Sequence, residues 1–264
     1  MSTRFSLWLA ACCALVLALA TAAPAFGAEQ YVALGDSYSS GLGTRSYYDS
    51  GCRRSNYAYA KIIDVERANT DVNLQACSGA RTGDVLNNQL GPLNSTTRWA
   101  TITIGGNDAG FSDVIIECAQ PGWMSDCNGA IDDAQAYINS TLKGRLNLVY
   151  DAIKSRSPNA TVIVLGYPRL FMGVDCNGGT WFSASEMTRL NQTADLLRTR
   201  IQEQVATEGS RFVFRDAIPP FIGHAVCSSS EWINGLSWPV DESYHPNRNG
   251  HRSGYVPLVR SVMG

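Results

Sequence analysis

The chain has 264 residues, 45% of them hydrophobic and 17% charged, with a formal net charge of −2. This is an ordinary globular composition, long enough for one α/β domain or two small ones. It carries no basic excess, so a nucleic-acid partner is not expected.

Residues 1–27 differ from the rest. Arg4 precedes an apolar run from Leu7 to Ala23, which ends in Pro24-Ala25-Phe26-Gly27-Ala28. A basic start, an apolar centre and a small-x-small end describe a secretory signal peptide, with cleavage after Gly27 the first choice. The run is short for a spanning helix, which takes about 20 apolar residues. The expectation is an exported protein whose working domain is residues 28–264.

Tyr31-Val32-Ala33-Leu34 is a short apolar run suited to a buried strand, and Gly35-Asp36 ends it at a turn. Asp36 can cap a following helix, which places Ser37 at a helix N-terminus where N–H groups and the local dipole favour negative charge. Asn56–Ile63 has helical spacing, and Asp71–Ala76 alternates as a short strand before Cys77-Ser78-Gly79-Ala80. Thr82-Gly83-Asp84 opens a helix carrying Val85, Leu86 and Leu90. The strand Trp99–Ile104 ends in Gly105-Gly106-Asn107-Asp108. Residues 111–130 read as a loop or short helical region, and one long helix is expected over Ile131–Lys154. Ala160–Leu165 is a β-branched strand. Ala184–Thr207 is helical, Phe212-Val213-Phe214 is the last strand, and a C-terminal helix holds Val256, Leu258 and Val259.

Strands alternating with helices imply a single three-layer domain with about five parallel strands. In such sheets ligands bind outside the C-terminal strand ends. Ser37, Gly79, Asn107 and the loop after Asp216 all fall on that edge.

Cys12 and Cys13 leave with the leader, and six cysteines remain: Cys52, Cys77, Cys118, Cys127, Cys176 and Cys227. An even count in an exported chain argues for three disulfides, although six cysteines allow fifteen connectivities. Nearest-neighbour pairing is preferred: Cys52–Cys77, Cys118–Cys127 and Cys176–Cys227. No Cys-x-x-Cys occurs and no cluster has metal-ligand spacing, so neither a metal nor a cofactor is expected.

A serine nucleophile needs a base within hydrogen-bond reach. Of His224, His245 and His251, only His245 sits in a polar turn with nearby acids, Asp241-Glu242-Ser243-Tyr244-His245-Pro246. Glu242, three residues earlier, could reach its Nδ1 and set the tautomer. Asp241 or a backbone carbonyl of the turn could do the same. The Asn107 side chain and the Gly79 N–H could join the Ser37 N–H around one oxyanion. For any one of these residues alone, a plain turn role is the commoner explanation. No Gly-x-Ser-x-Gly occurs, so the nucleophile elbow of α/β-hydrolases is absent.

GDSY around Ser37, CSGARTGD around Gly79, GGND at Asn107 and SYHPN at His245 stand in the order of four blocks. Together they resemble the SGNH (GDSL) hydrolase family, over Tyr31 to about His251. The resemblance implies a flavodoxin-like α/β/α fold and ester hydrolysis through an acyl-enzyme. In it Ser37 is nucleophile, His245 is base, and Ser37 N–H, Gly79 and Asn107 form the oxyanion hole. The chain is similar to the secreted actinobacterial branch of lipases, esterases and phospholipase A enzymes with three disulfides. That family commonly has Asp three residues before the histidine. Here the position is Glu242, and in some relatives a main-chain carbonyl replaces the acid.

The expected substrate is a small-molecule ester or lipid, met by a monomer with transient contact to a lipid interface. Trp123-Met124, Trp181-Phe182, Phe221-Ile222 and Trp232 are candidates to line an acyl groove. Two other readings compete: a carbohydrate O-acetylesterase, and a catalytically silent binding module.

Overall fold

A computed structural model describes residues 27–264; the expected leader lies outside the described residues except for Gly27. Five strands form one parallel sheet: β1 Glu29–Gly35, β2 Thr70–Leu74, β3 Thr97–Thr103, β4 Thr161–Leu165 and β5 Phe212–Arg215. Their order is β2-β1-β3-β4-β5. The helices are α1 Ser37–Ser40, α2 Tyr59–Glu66, α3 Thr82–Asp84, α4 Phe111–Cys118 and α5 Cys127–Ser140. They continue with α6 Leu142–Arg156, α7 Ala184–Ala206, α8 Ile218–Phe221 and α9 Val256–Met263.

Burial explains the composition of the strands. β1, β3 and β4 are interior and almost wholly buried; β1 from Tyr31 and β4 from Val162 read as apolar runs, as strands covered on both faces do. β2 is an edge strand and alternates buried with exposed residues. Thr101 and Thr103 of β3 are buried with partners: Thr101 Oγ1 lies 2.9 Å from the Tyr31 hydroxyl, and Thr103 Oγ1 donates to Asp36 at 2.8 Å.

The five expected strands are the five observed. The long helix expected over 131–154 is in fact two, α5 and α6, meeting at Thr141 with φ −119°. Ser140 Oγ donates back to the Ala136 carbonyl at 2.8 Å, a local bond that competes with the helical ladder and bends it. Residues 111–130 hold a true helix, α4, and the start of α5. The expected helix opening at Thr82 runs on from α3 into a π-helical turn, Val85–Gln89, and a second such turn, Gly250–Tyr255, leads into α9.

Disulfides join Cys52 to Cys77, Cys118 to Cys127 and Cys176 to Cys227, the nearest-neighbour pattern. The first ties the loop after α1 to the loop after β2, on the edge where Ser37 emerges. Restricting the unfolded chain, each contributes roughly 2–4 kcal/mol.

Candidate active site

β1 and β3 are neighbours although β2 lies between them in sequence, so the strand order reverses at this point. A crevice opens there beyond the carboxyl ends of the strands. β1 delivers Ser37 to its rim. Gly35 has φ +122°, and a Cβ on it would lie 2.3 Å from the Thr103 carbonyl, so only glycine allows the turn. β2 has already ended here, and Gln89 takes over its pairing role. Its side chain accepts from Gly35 N–H at 2.7 Å and donates to Gly35 C=O at 2.9 Å. Asp36 then caps α1, accepting from Tyr38 N–H at 3.0 Å. Ser37 is buried as the first residue of that turn.

The Asp36 carboxylate lies deep in the protein. It accepts from Thr103 Oγ1 at 2.8 Å and from the Tyr167 hydroxyl, which in turn accepts from Gly106 N–H at 3.3 Å. The ends of β1, β3 and β4 are thereby fastened to one group. Burial pushes the carboxyl up to about 6, against the pull of the three donors.

His245 reaches the same point from late in the chain. Its Nε2 lies 2.8 Å from Ser37 Oγ, and its Nδ1 lies 2.8 Å from the Ser243 carbonyl. With Nδ1–H donating to that carbonyl, Nε2 is free to accept the serine proton. Tyr244, between them, is held at φ +59°, a left-handed conformation costly for a bulky residue. Several bonds keep it there: Tyr38 Oη donates to Tyr244 C=O at 2.7 Å, and Asn234 exchanges backbone bonds with Tyr244 and His245, both 2.9 Å. Burial pushes the His245 imidazole down to about 4, opposed by the Ser243 carbonyl and the Asp241 charge. Because the half-buried ring opens partly onto the crevice, water there limits the shift. At neutral pH the ring is uncharged.

Glu242 does not reach His245. Its carboxylate accepts from the Tyr47 hydroxyl at 2.6 Å and faces Arg45 at 3.6 Å. The 3₁₀ turn Val240–Glu242 leaves the acid on the far side of the loop, so the expectation of Glu242 as the group orienting His245 is corrected. A main-chain carbonyl occupies that position. Asp241 is paired instead with Arg53 at 2.7 Å.

Gly79 and Asn107 also line the crevice, with Ser37 and His245. Gly79 has φ +80° and open space where a side chain would stand. Asn107 Nδ2 donates to the Ala80 carbonyl at 3.1 Å, while Asp108 accepts from Thr82 N–H at 3.0 Å. The GGND turn thus clamps the Gly79 loop beside itself. Among the described residues no group accepts from the backbone N–H of Ser37 or Gly79. These unused donors beside a serine–imidazole pair can stabilise an oxyanion.

The crevice has a volume of about 530 Å³ and is largely apolar. One wall is a face of α4, with Phe111, Ile115, Ile116 and, just past its end, Ala119. The floor carries Ala194 and Leu197 of α7, and Leu236 and Val240 close the other side. None of the aromatic pairs singled out in the sequence lines it. Phe182 and Phe221 are core residues, packed on Phe171 and on Tyr255. Trp232 stacks on His224 at 3.7 Å, while Trp123, Met124, Trp181 and Ile222 face outward. A loop or short helical region over 111–130, as the sequence suggests, leaves this face of α4 unspecified. Its spacing of 111, 115, 116 and 119 was the available signal.

His251 is buried, accepting from Tyr59 N–H at 3.3 Å, and takes no part in the crevice. Among the described residues the one cluster of metal-ligating types is Cys176, Cys227 and Glu231, where both sulfurs are spent in a disulfide.

Residues 33–253 match the GDSL-like lipase/acylhydrolase family. The chain belongs to that family and is a carboxylic ester hydrolase. It is 45% identical to a lipase of Streptomyces rimosus, covering 92% of this chain and 90% of the relative. It is 44% identical to lipase 1 of Streptomyces coelicolor, covering 97% and 96%. Among solved structures it resembles the extracellular lipase of S. rimosus, with TM-score 0.82 over 89% of this chain and 99% of that one. It also resembles phospholipase A1 of Streptomyces albidoflavus, with TM-score 0.81, 41% identity and the same coverage.

Proposed function

We propose that this protein is an exported hydrolase of lipid esters, working through an acyl-enzyme on Ser37. The observation that carries the mechanism is the 2.8 Å contact between Ser37 Oγ and His245 Nε2 at the head of an apolar crevice. His245 takes the hydroxyl proton as Ser37 Oγ bonds to the ester carbonyl carbon. The carbonyl oxygen becomes an oxyanion received by the N–H groups of Ser37 and Gly79 and the Asn107 amide. Collapse breaks the bond to the alcohol, which leaves with the proton from His245. Water then repeats the sequence and releases the acid. The Ser243 carbonyl holds the imidazole in the required tautomer throughout.

The lipid preference rests on the apolar lining, which suits an acyl chain, and on relatives named as lipases and a phospholipase A1. Each methylene buried in such a crevice is worth about 0.8 kcal/mol, so longer chains gain binding. Export is supported by the leader-like residues 1–27 and three disulfides, which persist in oxidising surroundings. Among the described residues no helix is long and apolar enough to cross a membrane. Residues 28–264 act as one domain and one monomer.

Hydrolysis of p-nitrophenyl esters from acetyl to palmitoyl tests this reading. Rates should rise with chain length, and Ser37→Ala or His245→Ala should each lower kcat by about 10⁴-fold or more, as members of one unit do. Activity confined to the acetyl ester would point to acetylated carbohydrates instead. Full activity in Ser37→Ala would remove the acyl-enzyme.

A further inference from the structure

The apolar lining of the crevice does not stop at its mouth. Leu236 and Val240 line it and are still 38% and 53% exposed, and Ile116, on the opposite wall, is 62% exposed. Between Leu236 and Val240 the chain reads Ser237-Trp238-Pro239, and Trp238 is 85% exposed. Trp238 belongs neither to the core nor to the crevice lining, and among the described residues it stacks on no other ring. Single exposed apolar residues are common and need no explanation; Val65 on α2 is one. Three in five residues, continuous with an apolar cavity, form a patch of a different kind.

We propose that the segment Leu236–Val240, with Ile116 across the mouth, is a docking surface for aggregated lipid, with Trp238 as its anchor. The proposal rests on the lipid-ester reading of the same site and adds where the substrate surface sits. Two observations select this occupant. Whatever covers the rim also covers the mouth, so a partner protein there would block the crevice, whereas a lipid surface feeds it. Among the described residues, the crevice lining also holds no Lys or Arg. Asp241 and Glu242, next along the chain, already face Arg53 and Arg45, and the whole protein has a net charge of −2. The surface it fits is therefore uncharged or zwitterionic, not anionic. Tryptophan suits that boundary, since its ring is apolar while its N–H can stay hydrated.

The probe is vesicles of ether-linked phosphatidylcholine, which no esterase can cleave, sedimented with wild type, Trp238→Ser and Val65→Ser. Wild type and Val65→Ser should partition equally, and Trp238→Ser should bind at least about tenfold more weakly, as loss of one buried tryptophan implies. Turnover of monomeric p-nitrophenyl acetate by Trp238→Ser should stay within about twofold of wild type, because Trp238 lies outside the crevice. The proposal falls if Trp238→Ser binds vesicles like wild type, or if wild type does not bind. It falls equally if binding needs anionic lipid, or if sedimentation shows a dimer that Trp238→Ser splits. Wild type that binds vesicles yet cleaves no ester would sink the hydrolase reading and leave the docking surface standing.

Discussion

His245 is held by a carbonyl where a carboxylate was expected, and this has a cost that can be measured. A carbonyl fixes the tautomer but offers an imidazolium less stabilisation than an ionised acid would. Glu242 meanwhile joins the turn before His245 to Tyr47, whose hydroxyl also accepts from Gly43 N–H at 3.1 Å in the loop after α1. Its role is to tie the serine loop to the histidine loop. Glu242→Ala should therefore lower kcat less than about tenfold, far below the loss expected for a triad member, while lowering stability by roughly 1 kcal/mol, because the hydroxyl proton of half-buried Tyr47 loses its acceptor. Steady-state kinetics beside urea unfolding separates the two effects. A kcat loss on the scale of His245→Ala would restore the acid to the mechanism.

At the scale of elements, helix α4 supplies one apolar wall of the crevice. Ala119 stands eight residues beyond Phe111, about 12 Å along the axis, which places it away from the Asn107 turn. A small residue there leaves the groove open. Ala119→Phe should shorten it and lower the ratio of palmitoyl to acetyl turnover by about tenfold, the equivalent of losing roughly two buried methylenes. An unchanged chain-length profile would mean the acyl chain runs elsewhere. Gln89 shows a second element-scale device. A π-helical turn brings its amide to the end of β1 and completes a strand pairing that β2 is too short to make. Nothing local in the sequence marks Gln89 as a side chain that will serve as a strand edge.

Across the whole molecule, buried titratable groups set the response to acid. His251 is fully buried, and burial holds its imidazole down to about 3, with a smaller push from His245. An imidazole with a depressed folded pKa is protonated first in the unfolded chain, so stability falls as acid is added. For His251 that window opens at 6.5 and closes near 3. For His245 it runs from 6.5 to about 4, with a reduced effect because the ring opens onto the crevice. Asp36 works the other way: raised from 3.8 to about 6, its carboxyl favours the folded chain as pH drops through that interval. Two groups oppose one, so stability should decline by about 1 kcal/mol per unit between pH 6.5 and 4.5. Urea midpoints over that range test it; a flat or rising curve would contradict these burials.

The amino-acid sequence by itself determined the alternation of strands and helices, the glycine at the end of β1 and the four blocks that mark the family. Each is written locally: apolar runs bounded by turns, a residue that alone tolerates φ +122°, short polar motifs at strand ends. The cysteine pairing was one of fifteen that the sequence allows, and the structure has the nearest-neighbour one. Only the tertiary structure decided which carbonyl or carboxylate faces His245, because one 3₁₀ turn and a left-handed Tyr244 rotate Glu242 away. It also decided which apolar residues line the crevice. Aromatic residues draw attention in a sequence, but they went to the core or the outer surface. The apolar lining fell to one face of α4 and to two residues of α7, brought together across some eighty positions of chain by packing on the same sheet edge. Local pattern fixes the conformation of a segment, while long-range packing alone fixes what its side chains meet.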